Sequence, residues 1–142
     1  MSDFLSENEM AHLVEAIRLA EEHSTGEIRV HIDSNTVSEN AKVALSVFEK
    51  LGMRRTLQRN GVLFHVNFEQ KYLTIIGDEG IHKKVKQFFW DELHDYITYE
   101  FQKGNYFKAL ETAILRTGEE LKKHFPHNGE NPNELSNELS FS

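Results

Sequence analysis

Apolar residues recur every three or four positions through Met10, Leu13, Val14, Ile17 and Ala20, the period of a helix with one buried face. Ser6 stands three residues before Glu9, a capping box that fixes where such a helix begins, so the pattern predicts a helix over about 7 to 23. Ser24-Thr25-Gly26 breaks it. Ile28, Val30 and Ile32 then alternate with Arg29, His31 and Asp33, the twofold period of a strand with one apolar face. Ala41, Ala44, Leu45, Phe48 and Leu51 restore helical spacing over about 38 to 51, and Gly52 ends it.

The second half opens with a nearly continuous apolar run, Val62 to Phe68, which fits a strand covered on both faces. Glu69-Gln70-Lys71 is a polar turn, Tyr72 to Ile76 reads as the antiparallel partner, and Gly77-Asp78-Glu79-Gly80 stops it. Ile81, Val85, Phe88, Phe89, Leu93, Ile97 and Phe101 predict helical structure over about 80 to 102, broken near Phe89-Trp90 and closed by Gly104. Phe107, Leu110, Ala113, Ile114, Thr117 and Leu121 carry a last helix that Pro126 ends. From His127 to Ser142 apolar residues thin out, and Asn133-Glu134-Leu135-Ser136 is repeated as Asn137-Glu138-Leu139-Ser140. This stretch is expected to be a disordered polar tail behind a single domain over residues 1–126.

A strand, a helix and a strand in succession imply a right-handed parallel crossover, and the hairpin adds an antiparallel strand. The expected class is α/β, a three-layer α/β/α sandwich with a mixed central sheet and helices on both faces.

Composition narrows the function. With 16 Lys and Arg against 23 Asp and Glu in 142 residues, the net charge is −7, the wrong sign for a general nucleic-acid binder. The absence of cysteine removes disulfides, thiolate metal sites and cysteine nucleophiles. No apolar run approaches the roughly 20 residues of a membrane helix, and Met1-Ser2-Asp3-Phe4 lacks the basic start of a signal peptide. A cytoplasmic, monomeric chain without a membrane span is expected. Phe88, Phe89, Trp90, Tyr96, Tyr99, Phe101, Tyr106 and Phe107 are core by default, but exceed what one helix face can bury; the surplus suggests a surface for a protein partner.

Topology gathers the candidate chemistry. If the first two strands are parallel neighbours and the hairpin returns to the same edge, Glu27, Arg59, Asn60, Asp78 and Glu79 converge there. Close carboxylates at the start of a helix suit a hard divalent cation, with Arg59 as a phosphate ligand or counter-charge. The competing reading is structural: Asp78 caps the helix, Asn60-Gly61 turns the chain, and Glu27 pairs with Arg59. Arg29, His31 and Asp33 share one face of the first strand, either as an acid-base pair at the opposite edge or, as the strict alternation suggests, as an exposed polar face. The eight histidines include no His-x-x-x-His helical pair and have no Cys partner, so no zinc site is expected. There is neither a glycine-rich phosphate loop nor a Gly-x-Ser-x-Gly elbow.

Glu21 to Ile32 with its Thr25-Gly26-Glu27-Ile28 centre, Arg59-Asn60-Gly61-Val62-Leu63, Gly77-Asp78-Glu79-Gly80-Ile81, Phe89-Trp90 and Gly104-x-Tyr106 with Ala109, in this order and spacing, resemble the TPM domain. The resemblance spans about residues 4 to 126 and implies the same sandwich and divalent cation binding, calcium in particular, with magnesium the other hard cation. It makes Asp78, Glu79 and Glu27 the expected metal ligands of a stand-alone, noncatalytic module. Because some family members are described as acid phosphatases, the alternative is a metal-assisted phosphomonoesterase in which Arg59 holds the phosphate.

Overall fold

The computed structural model describes residues 4–34, 39–127 and 137–142. Strand β1 (Glu27–Asp33) lies parallel to β2 (Gly61–Asn67), with Glu27 opposite Gly61, His31 opposite His65 and Asp33 opposite Asn67. Strand β3 (Tyr72–Gly77) runs back antiparallel to β2, placing Gly77 beside Val62. The crossover between the parallel strands is α2 (Asn40–Lys50), followed by a 3-10 turn at Met53–Arg55.

The two faces of the sheet meet different layers. Ile28, Val30, Ile32, Val62, Phe64, Val66 and Leu73 point to one side, where they are buried against α1 (Glu7–Glu21), α3 (Glu79–Gln102) and α4 (Tyr106–His124) in the main core. On the other side Leu63 packs with Val47, Phe48 and Met53 in a smaller core beneath α2. The sheet is open, mixed and covered on both faces, as the crossover and hairpin require.

Local rules account for the helix ends. Ser6 Oγ accepts from the Glu9 amide at 3.1 Å while Glu9 Oε1 accepts from the Ser6 amide at 2.9 Å, the reciprocal box read from the sequence. Helix α4 buries Ala109, Leu110, Ala113, Ile114, Thr117, Gly118 and Leu121, a face whose larger apolar members stabilise by roughly 1.5–3 kcal/mol each. Gly118 permits the close approach of α1: a Cβ there would stand 2.6 Å from the Ala20 Cβ.

Two expectations are corrected. The break in the third helix falls at Lys86, where φ is 67° and ψ 172°, rather than at Phe89-Trp90. The helical apolar period continues through the kink, which explains why spacing alone misplaces it. The tail is also not wholly disordered. Residues Ser140–Phe141 form β4, a parallel strand on β1 with Ser140 opposite His31 and Phe141 opposite Ile32. The strand order is therefore β3-β2-β1-β4. The Ser142 amide donates to Ile32 O at 3.0 Å, the Ser34 amide to Ser142 O at 3.1 Å, and Leu139 packs against the main core. Composition hid this strand because backbone pairing and serine hydroxyls hold it more than apolar area does. The remainder of that expectation, residues 128–136, lies outside the described residues.

Candidate metal centre

The acidic edge assembles only in part. Asp78 is the N-cap of α3, its Oδ1 accepting from the Glu79 amide at 2.8 Å. Arg59 closes on it with Nε to Oδ2 at 2.8 Å and Nη2 to Oδ1 at 3.0 Å, and Arg54 Nη1 stands 3.5 Å from Oδ1. Glu79 meets the same guanidinium from 3.4 Å. Hydrogen bonding to Asp78 raises the Arg59 pKa further.

Glu27 turns elsewhere. It is buried beside Glu21, whose Oε2 accepts from the Ile28 amide at 2.6 Å. Burial, then the charge of Glu27, push the Glu21 carboxyl up to about 9, so at neutral pH this pair holds a proton. The structure thus brings Asp78, Glu79 and Arg59 together and sends Glu27 to another carboxyl. Among the described residues, Asp78, Glu79 and Glu27 do not all come within metal-sharing distance of one another.

A different group is. Ligand atoms of His31, Asp33 and His65 all lie within 4.8 Å of one another, and all three residues are buried. The odd residues of β1 are not an exposed polar face: Glu27, His31 and Asp33 are buried and Arg29 partly so. Parallel register does the rest, placing His65 directly opposite His31 with the rings stacked at 5.6 Å and 19°. His65 Nε2 stands 3.2 Å from Asp33 Oδ2, while among the described residues the buried Nδ1 of His65 has no hydrogen-bond partner. Burial holds both imidazoles neutral: the His31 pKa falls to about 4, with the nearby His65 adding to the effect, and that of His65 falls although Asp33 opposes it. A neutral imidazole is the form that ligates metals.

Above His31 and Asp33 opens a cavity of about 360 Å³ between α2 and β4, lined also by Val47, Lys50, Phe141 and Ser142. His31 and Asp33 were visible in the sequence as polar residues at alternate positions. His65 was not, because it sits inside an apolar run and only register brings it to His31.

The TPM domain model matches residues 1–120. The chain belongs to the TPM domain family. This TPM domain is similar to the NMR structure of BA42 protein from the psychrophilic bacterium Bizionia argentinensis, at 37% identity and a TM-score of 0.90, covering 98% of this chain and 96% of that one. The N-terminal domain of a P. gingivalis protein shares the fold, with 20% identity, a TM-score of 0.71 and coverage of 88% and 83%. No curated protein matches the chain. No helix among the described residues of the domain is long and apolar enough to cross a membrane.

Proposed function

We propose that this TPM domain is a noncatalytic module that binds a divalent cation at His31, Asp33 and His65. The observation that carries the reading is the 3.2 Å separation of His65 Nε2 and Asp33 Oδ2. In a tetrahedral site with metal–ligand lengths of roughly 2.0–2.1 Å, two ligand atoms stand about 3.3 Å apart. A cation entering there replaces the shared proton with little movement of either side chain. Two imidazoles and one carboxylate favour zinc or a neighbouring transition ion over calcium and magnesium, which prefer all-oxygen shells. The acidic edge is a poorer host, because Arg59 and the Glu79 amide already engage the Asp78 oxygens.

Lys50 on the cavity rim favours a second reading, in which the bound cation has an open position and the protein hydrolyses phosphomonoesters. Titration of the full chain with cobalt(II), followed by its visible absorption and by the imidazole resonances of His31 and His65, tests the first reading. Tetrahedral d–d bands with shifts of both rings are expected. Silence at both rings, or a calcium response centred on Asp78 and Glu79, overturns it. Release of phosphate from a generic aryl phosphate by the zinc-loaded chain, lost in His65→Ala, would select the second reading.

A further inference from the structure

The cavity above the triad has a wall that belongs to the tail. Ser140 Oγ lies 2.8 Å from His31 Nδ1 and Ser142 Oγ 2.7 Å from His31 Nε2, so one short strand engages both ring nitrogens of a single imidazole. A neutral imidazole has one N–H and one lone pair. Whichever tautomer is present, one serine accepts from the N–H and the other donates its O–H to the lone pair. The lone pair is the atom a metal needs. Besides these bonds β4 is held at the sheet edge by the Ser142 amide on Ile32 O, by Ser142 O on the Ser34 amide, and by the charge of Glu138 near Arg29. Phe141 is half exposed and Leu139 packs against the main core, so the serine contacts act beside backbone pairing and partial apolar burial in fixing the strand.

We propose that β4 together with Ser142 is a strap that competes with the cation for His31, so that metal capture loosens β4 and docking of β4 weakens metal binding. The proposal rests on the reading of His31, Asp33 and His65 as the metal centre. Its reciprocity is thermodynamic: if the strap lowers affinity for the cation by some factor, the cation weakens the strap by the same factor. Once loosened, β4 leaves the outer edge of β1 and one side of the cavity open. A bound ion is thereby reported at the surface as the loss of a strand.

The test compares the full chain with its Ser140→Ala/Ser142→Ala variant by zinc titration calorimetry, alongside amide hydrogen exchange of the unmodified chain with and without zinc. Removing two modest hydrogen bonds to His31 is expected to tighten zinc binding about tenfold. The Ser142 amide is expected to lose protection when zinc is present. Equal affinities in the two proteins, weaker binding in the variant, or a Ser142 amide that stays protected in the zinc-bound chain overturns the strap while leaving the metal centre standing. Failure of both proteins to bind zinc overturns the metal centre and the strap with it. The exchange measurement needs no substitution, so misfolding of the variant does not decide the outcome.

Discussion

The guanidinium of Arg59 faces the carboxylate of Asp78 fork to fork, at 2.8 and 3.0 Å, across nineteen positions of chain. Asp78 is buried and Arg59 partly exposed, so the carboxylate depends on this partner and on the amide it caps. Arg59 itself adopts a positive φ of 54°, and its carbonyl accepts from the Gly80 amide at 2.8 Å. Loop and helix start are thereby locked together from both the backbone and the side chain.

Replacing Asp78 with Ala removes a helix cap worth about 1 kcal/mol and charge-assisted bonds worth roughly 1.5–3 kcal/mol. The expected loss is about 2.5–4 kcal/mol, or roughly 8–16 °C in melting temperature for a chain of this size. Differential scanning calorimetry measures it. Asp78→Asn, which can still accept from the Glu79 amide, should lose less. A rise in melting temperature would mean that carboxylate repulsion outweighs the arginine pair.

The Glu21 carboxyl gives a pH dependence of opposite sign to the usual carboxylate. Its pKa is about 9 in the fold against 4.5 for an ordinary glutamate, so the folded chain binds the extra proton between those values. Stability from this group is complete below pH 4.5 and declines as pH rises toward 9. Glu21→Gln keeps an oxygen for the Ile28 amide and a donor for Glu27, and has no proton to lose. Urea midpoints of wild type and variant should lie closest in acid and separate progressively toward alkaline pH, with the variant the more stable.

Gly118 is expected to tolerate no side chain. Alanine there gains about 1 kcal/mol of helix propensity, but its Cβ meets Ala20 Cβ at 2.6 Å, Cα at 2.7 Å and O at 2.9 Å. Two of those atoms are backbone and cannot swing aside. Over-packing of this kind costs typically 1–3 kcal/mol and more where nothing yields, so Gly118→Ala should lower the urea midpoint.

Deleting residues 137–142 uncovers the outer edge of β1, where His31 and Ile32 now pair with Ser140 and Phe141. An unpaired edge invites pairing between molecules. Sedimentation velocity should show concentration-dependent association of the shortened chain and not of the full one.

Those elements that depend on one stretch of chain were legible in advance. Alternation from Ile28 to Asp33, the apolar run from Val62 and the turn at Glu69-Gln70-Lys71 carry the strands, and the parallel crossover follows from their order. Asp78 was legible as a cap as well as a ligand, and its geometry favours the cap. His65 marks the boundary. In the one-dimensional pattern it is a polar interruption of a buried strand, and its meaning comes from a register that sets it beside His31. The pairing of Glu27 with Glu21 was hidden for a related reason: Glu21 is the last residue of α1, and how a helix end meets a strand start is not a periodic property.

Lys86 has a mechanical consequence. A residue with φ of 67° and ψ of 172° sits in a region that side chains other than glycine enter at a cost of roughly 1–3 kcal/mol, and it divides α3 into two rods. The first, from Glu79, is pinned at Asp78; the second carries Trp90, Leu93, Ile97 and Phe101 into the core. Across the joint the Trp90 indole N–H reaches back to His82 Nδ1 at 3.1 Å. A tilt of the first rod is therefore absorbed at the joint and by one hydrogen bond, and is not levered through four turns of helix onto α4. The arginine-clasped corner keeps its tie to the main core through Ile81, which is fully buried there, so a shift of the corner reaches the core at that residue rather than along the whole helix.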